Sequence, residues 1–193
     1  MVATRMFFAA VAVLAASGMV VHPSSHQEAV VDAVRSVDEI ELLQKPGCAE
    51  RGRVVFFDRK RARCSGCHAI EGDEQLAGPN LWAVGTKYDK RDLFQAILKP
   101  SAEVQERYHV YILDTETHGL VVGVISSETD EEIVVHDETG GMIRLGAEEV
   151  FDVRKSDLSM MPDNIVETIT TRELADLLEF LTTLRPDGPA TSL

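Results

Sequence analysis

Two cysteines three positions apart, followed at once by a histidine, constrain this chain more than any other feature. They are Cys64, Cys67 and His68, in the run Cys-Ser-Gly-Cys-His. Two thiols at this spacing can each add to one of the two vinyl groups of a haem, and the adjacent imidazole can bind the iron from the same side. The pattern therefore predicts one covalently attached haem c, held by both cysteines, with His68 as an iron ligand.

A closely spaced cysteine pair also occurs in disulfides, in thioredoxin-like redox pairs and in zinc sites. A zinc site needs four protein ligands, and the sequence has no second Cys-x-x-Cys and no paired-histidine motif. A thioredoxin-like pair lies between a strand and a helix of an α/β pattern, whereas here a predicted helix and a basic loop precede Cys64. Haem attachment is therefore the favoured interpretation.

The balance of charged residues limits the kind of partner. The 193 residues include 32 Asp and Glu against 19 Lys and Arg, which gives a net charge of -13 at pH 7. Such an acidic chain repels phosphate backbones and anionic lipid surfaces. We therefore expect no nucleic-acid partner and peripheral or no membrane association. The acidity serves either solubility or steering toward a basic partner.

The N-terminal residues have the layout of an export signal. Arg5 precedes an apolar run over residues 6–16, and the small residues Ser17 and Gly18 follow it. The run is shorter than the roughly 18 to 20 apolar residues that a membrane-spanning helix needs. Residues 1–22 are therefore predicted to be a cleaved signal peptide of a periplasmic or otherwise exported protein, with an uncleaved membrane anchor as the alternative. Residues 23–46 are predicted to be a helical or flexible linker.

Hydrophobic periodicity and turn signals predict helices on either side of a run of strands. Residues 49–57 are predicted to form a short helix, and Asp89 to cap a second helix that ends before Pro100. Thr170 and Glu173 are predicted to form a capping box on a long final helix. Between these helices, short β-branched or alternating runs predict five strands, at residues 108–113, 120–125, 132–135, 142–145 and 150–153.

Four groups of residues resemble the successive landmarks of class I cytochromes c: residues 50–56, 64–68, 78–81 and 176–181. In that family the first helix crosses the last, with a glycine at the crossing and aromatic side chains beside it; Gly52, Phe56 and Phe180 match these roles. The family also has a Gly-Pro loop whose proline carbonyl accepts a hydrogen bond from the haem histidine. Pro79 matches this role and is therefore included among the cofactor-binding residues.

One stretch departs from the ordinary class I pattern, because residues 105–157 separate the middle helix from the expected ligand loop. With this stretch, residues 47–184 resemble the haem-binding domain often found at the end of large planctomycete and verrucomicrobial proteins. The resemblance implies a mainly α cytochrome c fold of class I with an inserted small five-stranded β-barrel-like subdomain, α+β overall. The implied parts are residues 47–104 and 158–185 for the cytochrome, 105–157 for the insertion and 186–193 for a tail.

The resemblance also implies a second axial ligand for the iron. In the family this ligand is usually a methionine on a loop before the last helix. Met161 stands there, and Pro162 after it favours an extended loop conformation. We predict that His68 and Met161 bind the iron. The alternatives are an open site and four other side chains: Met160, His109, His118 and His136.

A haem that is ligated on both faces can change between its ferrous and ferric states without substrate chemistry. The prediction is therefore a monohaem c-type cytochrome that is not an enzyme and that exchanges single electrons with redox protein partners. A haem-based gas sensor or a peroxide-reactive enzyme with a labile sixth ligand is the alternative. No arginine and histidine pair is recognisably placed for peroxide activation.

Overall fold

Helices flank a run of strands in the part of the chain that the computed structural model describes, residues 42–72 and 76–186. The helices are α1 (Ala49–Phe56), α2 (Val84–Lys87), α3 (Lys90–Leu98), α4 (Ile165–Thr168) and α5 (Thr171–Thr183). The strands are β1 (Val110–Thr115), β2 (Gly119–Glu128), β3 (Glu132–His136), β4 (Met142–Gly146) and β5 (Val150–Lys155). The predicted signal peptide, most of the predicted linker and nearly all of the predicted tail lie outside the described residues.

Side chains at the starts of α3 and α5 pair with backbone N–H groups that the first helical turn leaves free. The Asp89 carboxylate accepts hydrogen bonds from the Arg91 and Asp92 amides at 2.8 and 2.9 Å. The Thr170 hydroxyl accepts from the Glu173 amide at 3.2 Å, and the Glu173 carboxylate accepts from the Thr170 amide at 2.8 Å. Both predicted caps are confirmed. None of the helices in this part of the chain is long and apolar enough to cross a membrane.

The helical core is built where α1 crosses α5. Gly52 is buried in α1, and a side chain at this position would overlap the Asp176 carbonyl group and lie 2.7 Å from the Phe180 Cβ. The Phe56 and Phe180 rings pack beside the crossing with centroids 5.7 Å apart. The close approach of two helices expected at Gly52 is therefore confirmed. Buried side chains from several elements complete this helical cluster, among them Val55, Leu93, Phe94, Ile97, Ile165, Leu177 and Leu178.

A buried carboxylate forms hydrogen bonds between α1 and α5 at the same crossing. Asp176 is 1% exposed. It accepts two hydrogen bonds from the Arg51 guanidinium, at 2.6 and 2.9 Å, and one from the Cys48 amide at 2.8 Å. These bonds, that of the Arg51 side chain above all, lower the pKa of Asp176, so the carboxylate is ionised at neutral pH. Asp176 therefore ties the start of α1 to the middle of α5.

We expect Asp176→Ala to lower the free energy of unfolding by about 2–3 kcal/mol, because it removes charge-assisted hydrogen bonds and leaves the Cys48 amide without its acceptor. The Arg51 side chain is 52% exposed, so water can solvate its charge and the loss stays below that of a fully buried pair. Since the folded-state pKa is lowered, this stabilisation is complete above the unfolded pKa of about 3.9 and disappears as pH falls through the folded value.

Urea unfolding of both proteins at pH 7 and at successively lower pH measures the effect. The difference in stability between wild type and Asp176→Ala should shrink on acidification. Asp163→Ala, which removes an exposed carboxylate, is the control and should change stability by no more than about 0.5 kcal/mol. A difference that stays constant down to pH 2 would contradict the proposed contribution of the ionised Asp176.

The strands form one antiparallel sheet in the order β4-β3-β2-β1-β5. Paired residues on neighbouring strands place their side chains on the same face, as Leu113 does with Val121 and Val135 with Ile143. One face carries a hydrophobic cluster separate from the helical cluster, and its buried members are Leu113, Val121, Ile133, Val135 and Leu145. The sheet therefore has a core of its own.

The mainly α cytochrome c fold implied by the resemblance is wrong for the described chain. Helix takes 35% and strand 23% of the described residues, and α2 and α4 have only four residues each. The strands form a five-stranded antiparallel sheet with its own hydrophobic cluster, so neither type of structure dominates. In the described residues, β4 and β5 are the two edge strands of this sheet, and no ladder of hydrogen bonds joins them. The fold is α+β.

Candidate haem attachment site

The two motif cysteines and the histidine lie on one tight turn, which we call the attachment segment (residues 64–68). Arg63 enters it with a φ of 55°, a left-handed conformation that is uncommon for residues other than glycine. A 3-10 turn then covers Cys64–Gly66. The Cys64 carbonyl accepts hydrogen bonds from the Cys67 and His68 amides, at 3.2 and 3.0 Å. One peptide carbonyl therefore closes the turn that carries all three motif residues.

Both thiols of the segment are half-buried, and neither forms a disulfide. Burial raises the pKa of Cys64 to about 11. Burial also raises the pKa of Cys67, with the Asp137 charge acting in the same direction and the Arg63 charge against it. Reactive dithiols of the thioredoxin type have lowered pKa values. The environment of this pair therefore favours protonated thiols over a redox-active dithiol.

The His68 ring is oriented by the Gly78-Pro79 loop. Its Nδ1 lies 2.8 Å from the Pro79 carbonyl oxygen. A carbonyl can only accept, so Nδ1 carries the hydrogen and Nε2 keeps a lone pair for a metal. Burial lowers the pKa of His68, and the bond to Pro79 partly opposes this shift. A neutral imidazole with a fixed tautomer is the form that binds a metal ion.

Gly78 packs against the same ring. A Cβ at this position would lie 2.6 Å from the His68 Cε1 and 2.9 Å from its Nδ1. The Gly78 amide donates to the Cys67 carbonyl at 2.8 Å, and the Leu81 amide donates to the Ala69 carbonyl at 2.7 Å. The loop therefore lies close along the attachment segment, and only glycine leaves room for the ring in this arrangement.

Met161 lies in the loop between β5 and α4. The Ser159 hydroxyl accepts a hydrogen bond from the Met161 amide at 3.1 Å, and the Ser159 amide donates to the Ser101 hydroxyl at 3.0 Å. A hydrogen bond thus links the loop to the turn that follows α3. Half-buried apolar side chains pack at the margin of the helical cluster, among them Cys64, Leu81, Leu98 and Met161. One thiol of the attachment segment and the predicted thioether ligand therefore both pack against the helical cluster.

The three histidines considered as alternative ligands lie in or near the sheet. His118 is in the exposed turn between β1 and β2, and its Nδ1 is 2.8 Å from the Thr117 hydroxyl. The Nε2 of His109 is 3.6 Å from the Glu106 carboxylate, and His136 is the last residue of β3 and 3% exposed. Within the described chain, the Nδ1 atoms of His109 and His136 are buried without a hydrogen-bond partner.

The space beside His68 is smaller than a usual cofactor pocket. A groove of about 240 Å³ is lined by Arg53, Phe57, Ser65, His68, Ala69, Ile70, Glu71 and Leu76. Pockets for small ligands usually have about 300–1,000 Å³. The groove alone therefore cannot enclose a porphyrin. The fit to haem depends on the donor set: two protonated thiols, a neutral imidazole with a free Nε2, and an apolar margin that includes a thioether.

No group of three or more His, Cys, Asp or Glu side chains in residues 42–72 and 76–186 is placed to hold a metal ion. No protein-family model matches the chain, and no curated protein matches it. The functional interpretation therefore depends on the residues themselves.

Two charged neighbours of Cys67 could not be predicted from the sequence. Arg63 precedes the segment and Asp137 follows β3, and both act on the pKa of the Cys67 thiol. The pair Gly140-Gly141 predicted a turn between β3 and β4 but not its position. Contact between residues 70 positions apart leaves no local pattern, so only the folded structure shows that this turn reaches the attachment segment.

Proposed function

We propose that the chain is an exported monohaem c-type cytochrome that transfers single electrons between redox partners. The observation that carries the proposal is the orientation of His68 on the same turn as two protonated thiols. The bond from Nδ1 to Pro79 leaves Nε2 as the only ring nitrogen that can bind iron. Export is supported by the sequence of residues 1–22 alone.

Each side chain has a distinct task in this proposal. The thiols of Cys64 and Cys67 would hold the haem through thioether bonds to its vinyl groups, an addition of S–H across a double bond that needs no oxidant. The Pro79 carbonyl holds the His68 ring, and Gly78 keeps the space beside it free. When bound, haem supplies a one-electron couple at its iron. Met161 would be the second protein ligand of the iron.

Covalent attachment is tested by mass spectrometry. The full-length chain, co-expressed with a haem-attachment system, is expected to keep one haem after extraction with acid and organic solvent. Cys64→Ser and Cys67→Ser should each leave a single thioether, and the double variant should release all of its haem into the solvent, because no sulfur–carbon bond remains.

Cys48→Ser is the matched control, since Cys48 also forms no disulfide and is half-buried but lies outside the motif. It should retain haem as fully as the wild type. Complete loss of haem from the wild-type protein on extraction would disprove the covalent attachment. Retention by the double variant would show that attachment uses other residues.

A further inference from the structure

The turn between β3 and β4 lies against the attachment segment. A Cβ added to Gly140, in this turn, would overlap the carbonyl oxygen of Gly66, the residue before Cys67. Gly140 has a φ of 80°, a backbone conformation that residues other than glycine rarely adopt. Backbone therefore meets backbone at this point, between the sheet and the segment that carries both thiols.

The turn itself is held in one conformation by Asp137. One of its carboxylate oxygens accepts hydrogen bonds from the Thr139 amide at 2.8 Å, the Thr139 hydroxyl at 2.6 Å and the Gly141 amide at 2.8 Å. The Asp137 amide donates to the Gly141 carbonyl at 2.9 Å. A turn with this many internal bonds is a firm surface against which a neighbouring segment can pack.

The end of the sheet that carries this turn is also its buried end. On the sheet face opposite the hydrophobic cluster, Leu120, Val122 and Val124 follow one another along β2, and their exposure falls from 63% to 46% to 2%. Val124 pairs with His136, the residue directly before Asp137, which is 3% exposed. The sheet is therefore packed against the rest of the protein at the β3–β4 end and open to solvent at the other.

We propose that the β3–β4 turn is part of the attachment site and that Gly140 and Asp137 are positioning residues for Cys67. Gly140 allows the turn to approach the Gly66 carbonyl, and Asp137 keeps the turn in the shape that makes the approach possible. The sheet then covers one side of the attachment segment instead of being an independent appendage. The meaning of this contact for a cofactor rests on the proposed function, but the contact itself does not.

Hydrogen exchange of the full-length protein as purified tests the contact, whether or not haem is attached. We expect Gly140→Ala to speed exchange of the Gly66, Cys67 and His68 amides about tenfold, because the added methyl pushes the turn off the segment and its backbone hydrogen bonds open more often. Gly119→Ala is the matched control: its φ is 67°, but a Cβ there meets no atom within 4 Å. Both variants introduce backbone strain, and only Gly140→Ala should expose the segment.

A second pair of variants covers the case in which Gly140→Ala does not fold. Asp137→Ala removes three hydrogen bonds inside the turn and should also speed exchange at residues 66–68, whereas Glu138→Ala, at the exposed neighbouring carboxylate, should not. In the haem-loaded protein, Gly140→Ala and Asp137→Ala should shift the reduction potential and the two controls should not. Equal exchange at residues 66–68 in each variant and its control would overturn the proposal. Faster exchange in a protein that never retains haem would support the contact and refute the proposed function.

Discussion

Gly52→Ala is expected to destabilise the protein by about 3 kcal/mol, the upper end of the usual cost of overpacking, although alanine is the better helix former. In a solvent-exposed helix the same change would add roughly 0.5–1 kcal/mol of stability. Here the new methyl group would overlap the Asp176 carbonyl and lie 2.7 Å from the Phe180 Cβ. Two helix backbones can relieve such an overlap only by moving apart, which also separates Phe56 from Phe180. The loss of packing therefore outweighs the gain in helix propensity.

Urea unfolding followed by far-ultraviolet circular dichroism measures this effect. Val54→Ala is the control in the same helix, since Val54 is 72% exposed. This substitution should change the free energy of unfolding by no more than about 0.5 kcal/mol. Both substitutions replace a poorer helix former with alanine, but only Gly52→Ala adds a methyl group at the crossing. A Gly52→Ala protein as stable as the wild type would contradict the close crossing of α1 and α5.

The sequence located the secondary structure well, because each signal depends on neighbouring residues. Asp89 and the Thr170–Glu173 box mark the starts of α3 and α5 where the structure has them. Five strands lie near the five alternating runs. The bounds differ where a local irregularity intervenes: β2 continues to Glu128, past the predicted end at residue 125, because a register shift after Ile125 keeps Ser127 paired with Val134.

The fold class was predicted wrongly because it depends on packing between distant segments. The residues that resemble cytochrome landmarks lie on both sides of the strands, and this resemblance predicts a helical fold. The strands instead form a sheet with a hydrophobic cluster of their own. Gly85 shows the same limit: a Cβ there would lie 2.7 Å from the Thr182 carbonyl carbon of α5. No pattern around residue 85 predicts contact with a helix almost 100 positions later.

The candidate site likewise contains residues whose placement the sequence predicts and contacts that depend on the fold. Cys64, Cys67 and His68 are adjacent in the chain, so their spacing is enough to predict a common turn. The pairing of Pro79 with His68, 2.8 Å apart, could be expected only from the resemblance to a family. The approach of Gly140 to Gly66 follows from the orientation of the whole sheet. The placement of residues that are near in sequence can thus be predicted from their chemistry, whereas contacts between distant residues depend on the fold.

Met161 provides the test that separates an electron carrier from a gas sensor or peroxide-reactive enzyme. Its thioether belongs to a half-buried side chain at the margin of the helical cluster, where Cys64 also packs. The bond from its amide to Ser159 and the link from Ser159 to Ser101 hold the loop in place. Pro162 adds a bias toward extended backbone at Met161. These features favour a fixed ligand over one that leaves the iron readily.

We therefore expect the wild-type protein to be six-coordinate and low-spin in both oxidation states and to bind carbon monoxide poorly. Met161→Ala should create an open site, admit carbon monoxide and lower the reduction potential by on the order of 0.1 V, within the roughly 0.8 V that axial ligands span. Met160 is the matched control, since it is the neighbouring thioether and also half-buried. Met160→Ala should leave the spectrum and the potential nearly unchanged.

Absorption spectra of the ferric and ferrous proteins, with and without carbon monoxide, distinguish the outcomes. If Met161→Ala has no effect, His109→Ala and His136→Ala identify the ligand, because each of these rings keeps a buried Nδ1 without a partner in the described chain. If the unmutated ferrous protein binds carbon monoxide rapidly and stoichiometrically at neutral pH, one face of the iron is open. A vacant face would suit binding or activation of a small molecule, and electron transfer would then cease to be the best account of this chain.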